Sequence, residues 1–152
     1  MSLQFRTMEQ SGVLFFNGGF DFMLLEIEDE NLKLSFNKGG SLIQLIPNQT
    51  VSDGKWHKVL MRYNGLMADL ILDEISHQGY HEEGSKPSVN LEKSIFVGGV
   101  QEEMRRRLLM KGLLIKDVSF KGCMRELQVN NVPLGFPNMK ISHHLASSCV
   151  WK

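Results

Sequence analysis

The sequence predicts an all-β domain, an antiparallel sandwich or barrel, on three observations. Short alternating or apolar segments recur at even spacing, turns rich in Gly, Asn and Asp separate them, and helix signals are poor. At 152 residues and 17.3 kDa the chain is one domain by size, residues 1–152. Seventeen Lys+Arg balance seventeen Asp+Glu, which excludes a strongly basic nucleic-acid wrapper. Apolar residues make up 42% and charged residues 22%, too apolar a balance for a disordered chain. No stretch approaches the roughly 18 apolar residues of a membrane-spanning helix.

The elements follow in order. Val13 to Phe16 is a first strand, between Ser11-Gly12 and Asn17-Gly18-Gly19. Phe22 to Ile27 is the next, with Glu28-Asp29-Glu30-Asn31 as its turn. Leu32, Leu34 and Phe36 alternate with Lys33 and Ser35, the period of a half-buried strand. Ser41 to Ile46 ends at Pro47-Asn48, and Lys55 to Tyr63 follows Ser52-Asp53-Gly54. Asn64-Gly65 then signals a hairpin into Ala68, Leu70 and Leu72. Ile95-Phe96-Val97 and Leu127 to Val129 close the pattern. Glu102 to Lys111 has the composition for one or two helical turns but lacks a clear cap, and residues 135–148 read as loop.

Four ordered segments carry a family pattern. Phe5-Arg6-Thr7 with Ser11-Gly12-Val13-Leu14, then Asp53-Gly54-Lys55-Trp56-His57, then Ile95-Phe96-Val97-Gly98-Gly99, and finally Phe120-Lys121-Gly122-Cys123-Met124-Arg125 resemble the motifs of laminin G-like domains. The resemblance implies a jelly-roll β-sandwich of two curved antiparallel sheets. It also implies a further strand before Phe5, so that a missing first edge strand is an expectation for this chain. The opening Met1-Ser2-Leu3 carries no secretory leader, which says little about the compartment.

Cys123 and Cys149 are the whole thiol inventory. Composition leaves one disulfide or two unrelated thiols open. The resemblance implies that they pair, which would place the chain in an oxidising, extracellular compartment. Asn48-Gln49-Thr50 is a glycosylation sequon in a turn region, and equally a plain surface loop.

Similar domains often hold one Ca²⁺ at the sandwich rim. The resemblance maps its ligands onto the Asp21 carboxylate, the Lys38 and Ser88 carbonyls and the Asn90 side chain. Oxygen donors of this kind suit a hard cation, and one formal negative charge implies weak affinity, near millimolar. The alternative is that Asp21 and Asn90 are ordinary turn residues.

Arg105-Arg106-Arg107 with Lys111 is the dense positive run, a candidate for sulfate or carboxylate of an acidic glycan. Glu102 and Glu103 directly before it offset the field, so a solvated segment is the plainer reading. Lys55, Lys58 and Arg62 fall on a strand with one buried face and carry less weight. His77 and His81 are four apart, but Gly79 between them argues against a helix presenting both to zinc. No nucleophile elbow, phosphate loop or paired-cysteine motif is present, so the expectation is not an enzyme. The function expected is an extracellular adhesion and recognition module, Ca²⁺-dependent at its rim, that binds an acidic glycan or a cell-surface receptor and sits beside other domains. The alternatives are a carrier of a steroid-like ligand between the sheets, and a structural spacer.

Overall fold

Eleven strands and one helix form among the residues that the computed structural model describes, which are 1–18, 21–81, 95–112 and 119–134. The strands are β1 (Ser2–Arg6), β2 (Gly12–Gly18), β3 (Phe22–Glu28), β4 (Asn31–Lys38), β5 (Ser41–Leu45), β6 (His57–Tyr63), β7 (Met67–Leu72), β8 (Ile75–Tyr80), β9 (Ile95–Val97), β10 (Cys123–Val129) and β11 (Val132–Pro133). Helix α1 (Glu102–Met110) lies between β9 and β10. Two antiparallel sheets result, ordered β11-β10-β1-β6-β7-β8 and β5-β4-β3-β2-β9. Of the antiparallel sandwich or barrel expected from the pattern, the observed architecture is the two-sheet sandwich that the resemblance implied.

Alternation with period two decides which side chains meet between the sheets. Leu32, Leu34 and Phe36 of β4 join Leu3 and Phe5 of β1 and Ala68, Leu70 and Leu72 of β7 in one buried core. In β2 the alternation breaks, and the break has a cause. Its register against β3 shifts between Val13 and Phe15, so Leu14 and Phe15 both enter the inter-sheet core while Val13 and Phe16 join a second cluster. A β-bulge of this kind turns a run of four apolar residues into a strand buried on both faces.

That second cluster explains the helix. Val13, Phe16, Phe22 and Leu24 on the outer face of the five-stranded sheet pack with Leu108 of α1, flanked by Phe96, Val100 and Met104. Glu102 and Glu103 stand in the first turn, where negative charge suits the helix dipole. At the other end Gly112, at φ 67°, donates its N–H to the Leu109 carbonyl at 3.1 Å and stops the helix. The nine residues of α1 outlast the one or two turns expected because the apolar sheet face beneath them supplies what local propensity lacks.

Strand β8 was not legible as a strand, because Ser76, His77, Gln78 and Gly79 leave it little apolar alternation. It forms at a sheet edge, paired with β7 alone. Gly79 has a packing reason. A Cβ there would meet Ile43 Cγ2 at 2.7 Å and Leu45 Cδ2 at 3.0 Å, so the bare backbone lets β8 close on β5 of the opposite sheet. Three hairpins turn on Asp29-Glu30, Asp73-Glu74 and Asn130-Asn131, each pair with both φ values positive, the backbone that matches strand twist in two-residue loops.

Candidate functional site

One end of the sandwich gathers polar groups from four segments. Phe22 pairs with Asn37, so Asp21 and Lys38 follow as the next positions on their strands. Asp21 is 8% exposed, and its Oδ1 accepts the Gly39 N–H at 2.8 Å. Lys38 is buried, and its ammonium donates to the Gly65 carbonyl, which also accepts from the Tyr63 hydroxyl at 3.0 Å. Its inward direction follows from the parity of Leu32, Leu34 and Phe36. His81 packs among Phe36 and Tyr63 at ring separations of 5.5 and 5.7 Å. Its Nδ1 lies 3.3 Å from Ser41 Oγ, and its buried Nε2 has no partner.

The electrostatics match this geometry. Burial lowers the His81 pKa and the Lys38 ammonium lowers it further, against smaller opposing contributions from Ser41 and Asp21. Burial and the Asp21 carboxylate both raise Tyr63. Of the residues expected to hold calcium, Asp21 and Lys38 thus share one rim, while Ser88 and Asn90 lie outside the described residues. The Asp21 carboxylate and Lys38 carbonyl are oxygen donors suited to a hard cation. Among the described residues no group of three or more His, Cys, Asp or Glu is placed to hold a metal.

The helix arginines are elsewhere, on α1. Arg106 and Arg107 pair with Glu102 and Glu103 at 2.8 and 2.9 Å, one helical turn apart. Asn48 is exposed in a tight turn in which Gln49 N–H meets the Pro47 carbonyl at 2.8 Å. Cys123 is buried at the start of β10, and Cys149 lies outside the described residues.

A family model described as the laminin G domain matches residues 5–132. The chain belongs to the laminin G domain family. Human Protocadherin Fat 1 is 27% identical over 158 residues, which cover 98% of this chain and 3% of that protein. Human cadherin EGF LAG seven-pass G-type receptor 1 is 31% identical over 169 residues, covering 86% of this chain and 5% of that protein. The chain therefore spans only 3–5% of the length of these curated relatives. Domains LG4-5 of the mouse laminin alpha1 chain share the fold with a TM-score of 0.80 at 22% identity, covering 94% of this chain and 38% of that chain. No helix among the described residues is long and apolar enough to cross a membrane.

In this laminin G domain the segment Asp53-Gly54-Lys55-Trp56-His57 builds a clamp that spacing alone did not reveal. His57 is buried against Phe5, with ring centroids 5.7 Å apart. Its Nδ1 lies 2.6 Å from Asp73 Oδ2 and its Nε2 2.9 Å from Asp53 Oδ1. Asp73 also accepts from Lys58 N–H and Gln49 Nε2, both at 2.8 Å. Burial opposes the imidazolium, but the two carboxylates outweigh it and raise the His57 pKa. Burial likewise opposes the charge on Asp53 and Asp73, and the hydrogen bonds from His57 and backbone N–H groups lower both pKa values. The signal available beforehand was a His four residues after an Asp.

A pH dependence follows. His57 holds its proton more tightly folded than unfolded, so its stabilisation is complete below pH 6.5 and lost as the pH rises through its elevated pKa. Asp53 and Asp73 hold theirs less tightly folded, so their share is present above pH 3.8 and lost as the pH falls through their lowered pKa values. Replacing His57 with Gln is expected to cost about 1–3 kcal/mol at pH 5.5 and to flatten the loss of stability above pH 6.5, measured by urea unfolding across the range. An unchanged alkaline limb would remove the clamp from the account.

Proposed function

We propose that this laminin G domain is an extracellular adhesion and recognition module whose rim around Asp21 engages an acidic glycan or a cell-surface receptor. The observation that carries the reading is the family match over residues 5–132, shared with relatives named as cadherin-type proteins. In this reading Ca²⁺ is held weakly by the Asp21 carboxylate and the Lys38 carbonyl, with Ser88 and Asn90 as further donors. Bound there, the ion would accept carboxylate or sulfate oxygens of a ligand into its shell. The Lys38 ammonium has its own acceptor in Gly65, which supports the use of its carbonyl for the ion. A Cys123–Cys149 disulfide and glycosylation at Asn48 belong to the same proposal, as does the secreted or cell-surface location. Arg105, Arg106, Arg107 and Lys111 form its secondary glycan surface, weakened by the pairing of Arg106 and Arg107 with the helix acids.

The packing between the sheets favours a surface function over a carrier of a small hydrophobic ligand. Phe5, Phe15, Phe36, Leu25, Leu34 and Leu70 are each less than 2% exposed there, so these described core residues offer no open surface to a steroid-like guest. A purely structural spacer is the outcome if the rim binds nothing.

Calcium titration by calorimetry tests the reading on the wild type and on Asp21→Ala. Saturable binding with a Kd near roughly 1 mM, abolished by the substitution, is expected. No heat and no thermal shift at ten times that concentration would overturn the metal.

A further inference from the structure

The sheet opposite to α1 presents a different kind of outer face. Alternation sends Leu3, Phe5, Val59 and Met61 into the core, so Ser2, Gln4, Arg6, Lys58 and Leu60 face outward. Register aligns Arg125, Gln4 and Lys58 in one row across β10, β1 and β6. Trp56 stands beside this row with two guanidinium groups over its ring, Arg125 Cζ at 3.9 Å and Arg6 Cζ at 5.2 Å from the centroid.

The side chains are linked in a chain. Arg125 Nε donates to Gln4 Oε1 at 2.8 Å, and Gln4 Nε2 donates to Glu126 Oε2 at 2.6 Å. Glu126 reaches Gln4 because β10 bulges there: Ser2 pairs with Gln128 and Gln4 with Arg125, and Glu126 takes φ 54°. Beside this chain lies a shallow depression of about 160 Å³ lined by Ser2, Leu3, Gln4, Lys58, Glu126 and Gln128.

We propose that this face, centred on Trp56, Arg125, Gln4 and Lys58, is a binding surface for an acidic glycan, separate from the rim at Asp21. Stacking on the indole fixes the plane of the Arg125 fork, and the bond to Gln4 uses its Nε, leaving both terminal amino groups to meet a carboxylate or sulfate in bidentate fashion. Lys58 is exposed, and among the described residues no carboxylate pairs with it. It stands two strand spacings from Arg125, roughly 10 Å. A polymer with repeated charges can meet both cations at once. Between them the amides of Gln4 and Gln128, the Ser2 hydroxyl and the Glu126 carboxylate match sugar hydroxyls, which an acidic peptide lacks. The proposal shares the recognition reading above but needs no calcium, so the two fail separately.

The test is binding of heparin-derived and hyaluronan-derived oligosaccharides, measured by calorimetry in EDTA at low salt, the first carrying sulfate and the second only uronate. Lys58→Gln combined with Arg125→Gln is expected to weaken binding about tenfold or more, the loss for charge-assisted pairs, with the fold retained because both residues are exposed. Arg125→Lys, which keeps the charge and loses the stacked fork, is expected to lose part of the affinity. Loss for heparin alone would identify sulfate as the anion read, and loss for both would identify the carboxylate. No wild-type binding to either sugar, equal binding by the double variant, or full competition by poly-glutamate would overturn the proposal.

Discussion

Replacing Glu26 with Gln is expected to stabilise the domain at pH 8 by up to about 3 kcal/mol and to leave it nearly unchanged at pH 4. Glu26 lies in a row across the outer face of the five-stranded sheet, paired with Val13 on β2 and Lys33 on β4. It is 3% exposed, and its Oε2 has no hydrogen-bond partner. Lys33 is committed to Glu28 at 2.8 Å, so two carboxylates share one ammonium. Burial, partly offset by Lys33 and reinforced by Glu28, raises the Glu26 pKa from 4.5 to about 7.

The folded state therefore holds this proton more tightly than the unfolded chain does. The associated stability is complete below pH 4.5 and lost as the pH rises through 7. Glutamine keeps the shape of the protonated acid and never ionises, and Lys33 keeps its partner in Glu28. Thermal unfolding at pH 5 and pH 8 separates the contributions, because the His57 clamp acts equally in both proteins. The variant should gain roughly 6–10 °C over the wild type at pH 8. Parallel pH profiles for the two proteins would refute the buried-acid account.

Leu108→Ala is the second large effect, expected to cost about 2–5 kcal/mol. Leu108 is the buried residue of α1, at 2% exposure, and Met104 one turn earlier shares its face. A nine-residue helix is marginal in water by itself, so removing its anchor should undock α1 as well as open a cavity against Phe16 and Leu24. Met110, 88% exposed on the same helix, is the control, and its change to Ala should stay within about 0.5 kcal/mol. Urea unfolding gives the energies, and amide exchange along α1 shows whether the helix opens. Equal stability of the two variants would mean that α1 does not hold the outer sheet face.

Legibility in the sequence follows the range of each interaction. Strand β4 was readable because Leu32, Leu34 and Phe36 alternate with Lys33 and Ser35, a nearest-neighbour signal, and β3 and β5 were readable as short apolar runs between turn residues. Lys33 alternates with the core residues of β4 and so faces outward, yet it is buried and paired with Glu28. The His57 clamp was hidden because Asp73 is contributed from the far end of a hairpin, sixteen residues away. The Trp56 face was less visible still, since Arg125 and Gln4 are 121 residues apart and meet only through the β1–β10 pairing.

The sequence by itself determined an antiparallel all-β domain, the positions of most turns and the family motifs, because backbone preference and period-two burial are written in consecutive residues. The tertiary structure decided which charges are buried and which are presented. It put Lys38 inward beside Gly65, buried Glu26 on the outer face of the five-stranded sheet, and placed two arginines over Trp56. Burial and charge proximity depend on which layers come together, and that is settled only when distant strands pair.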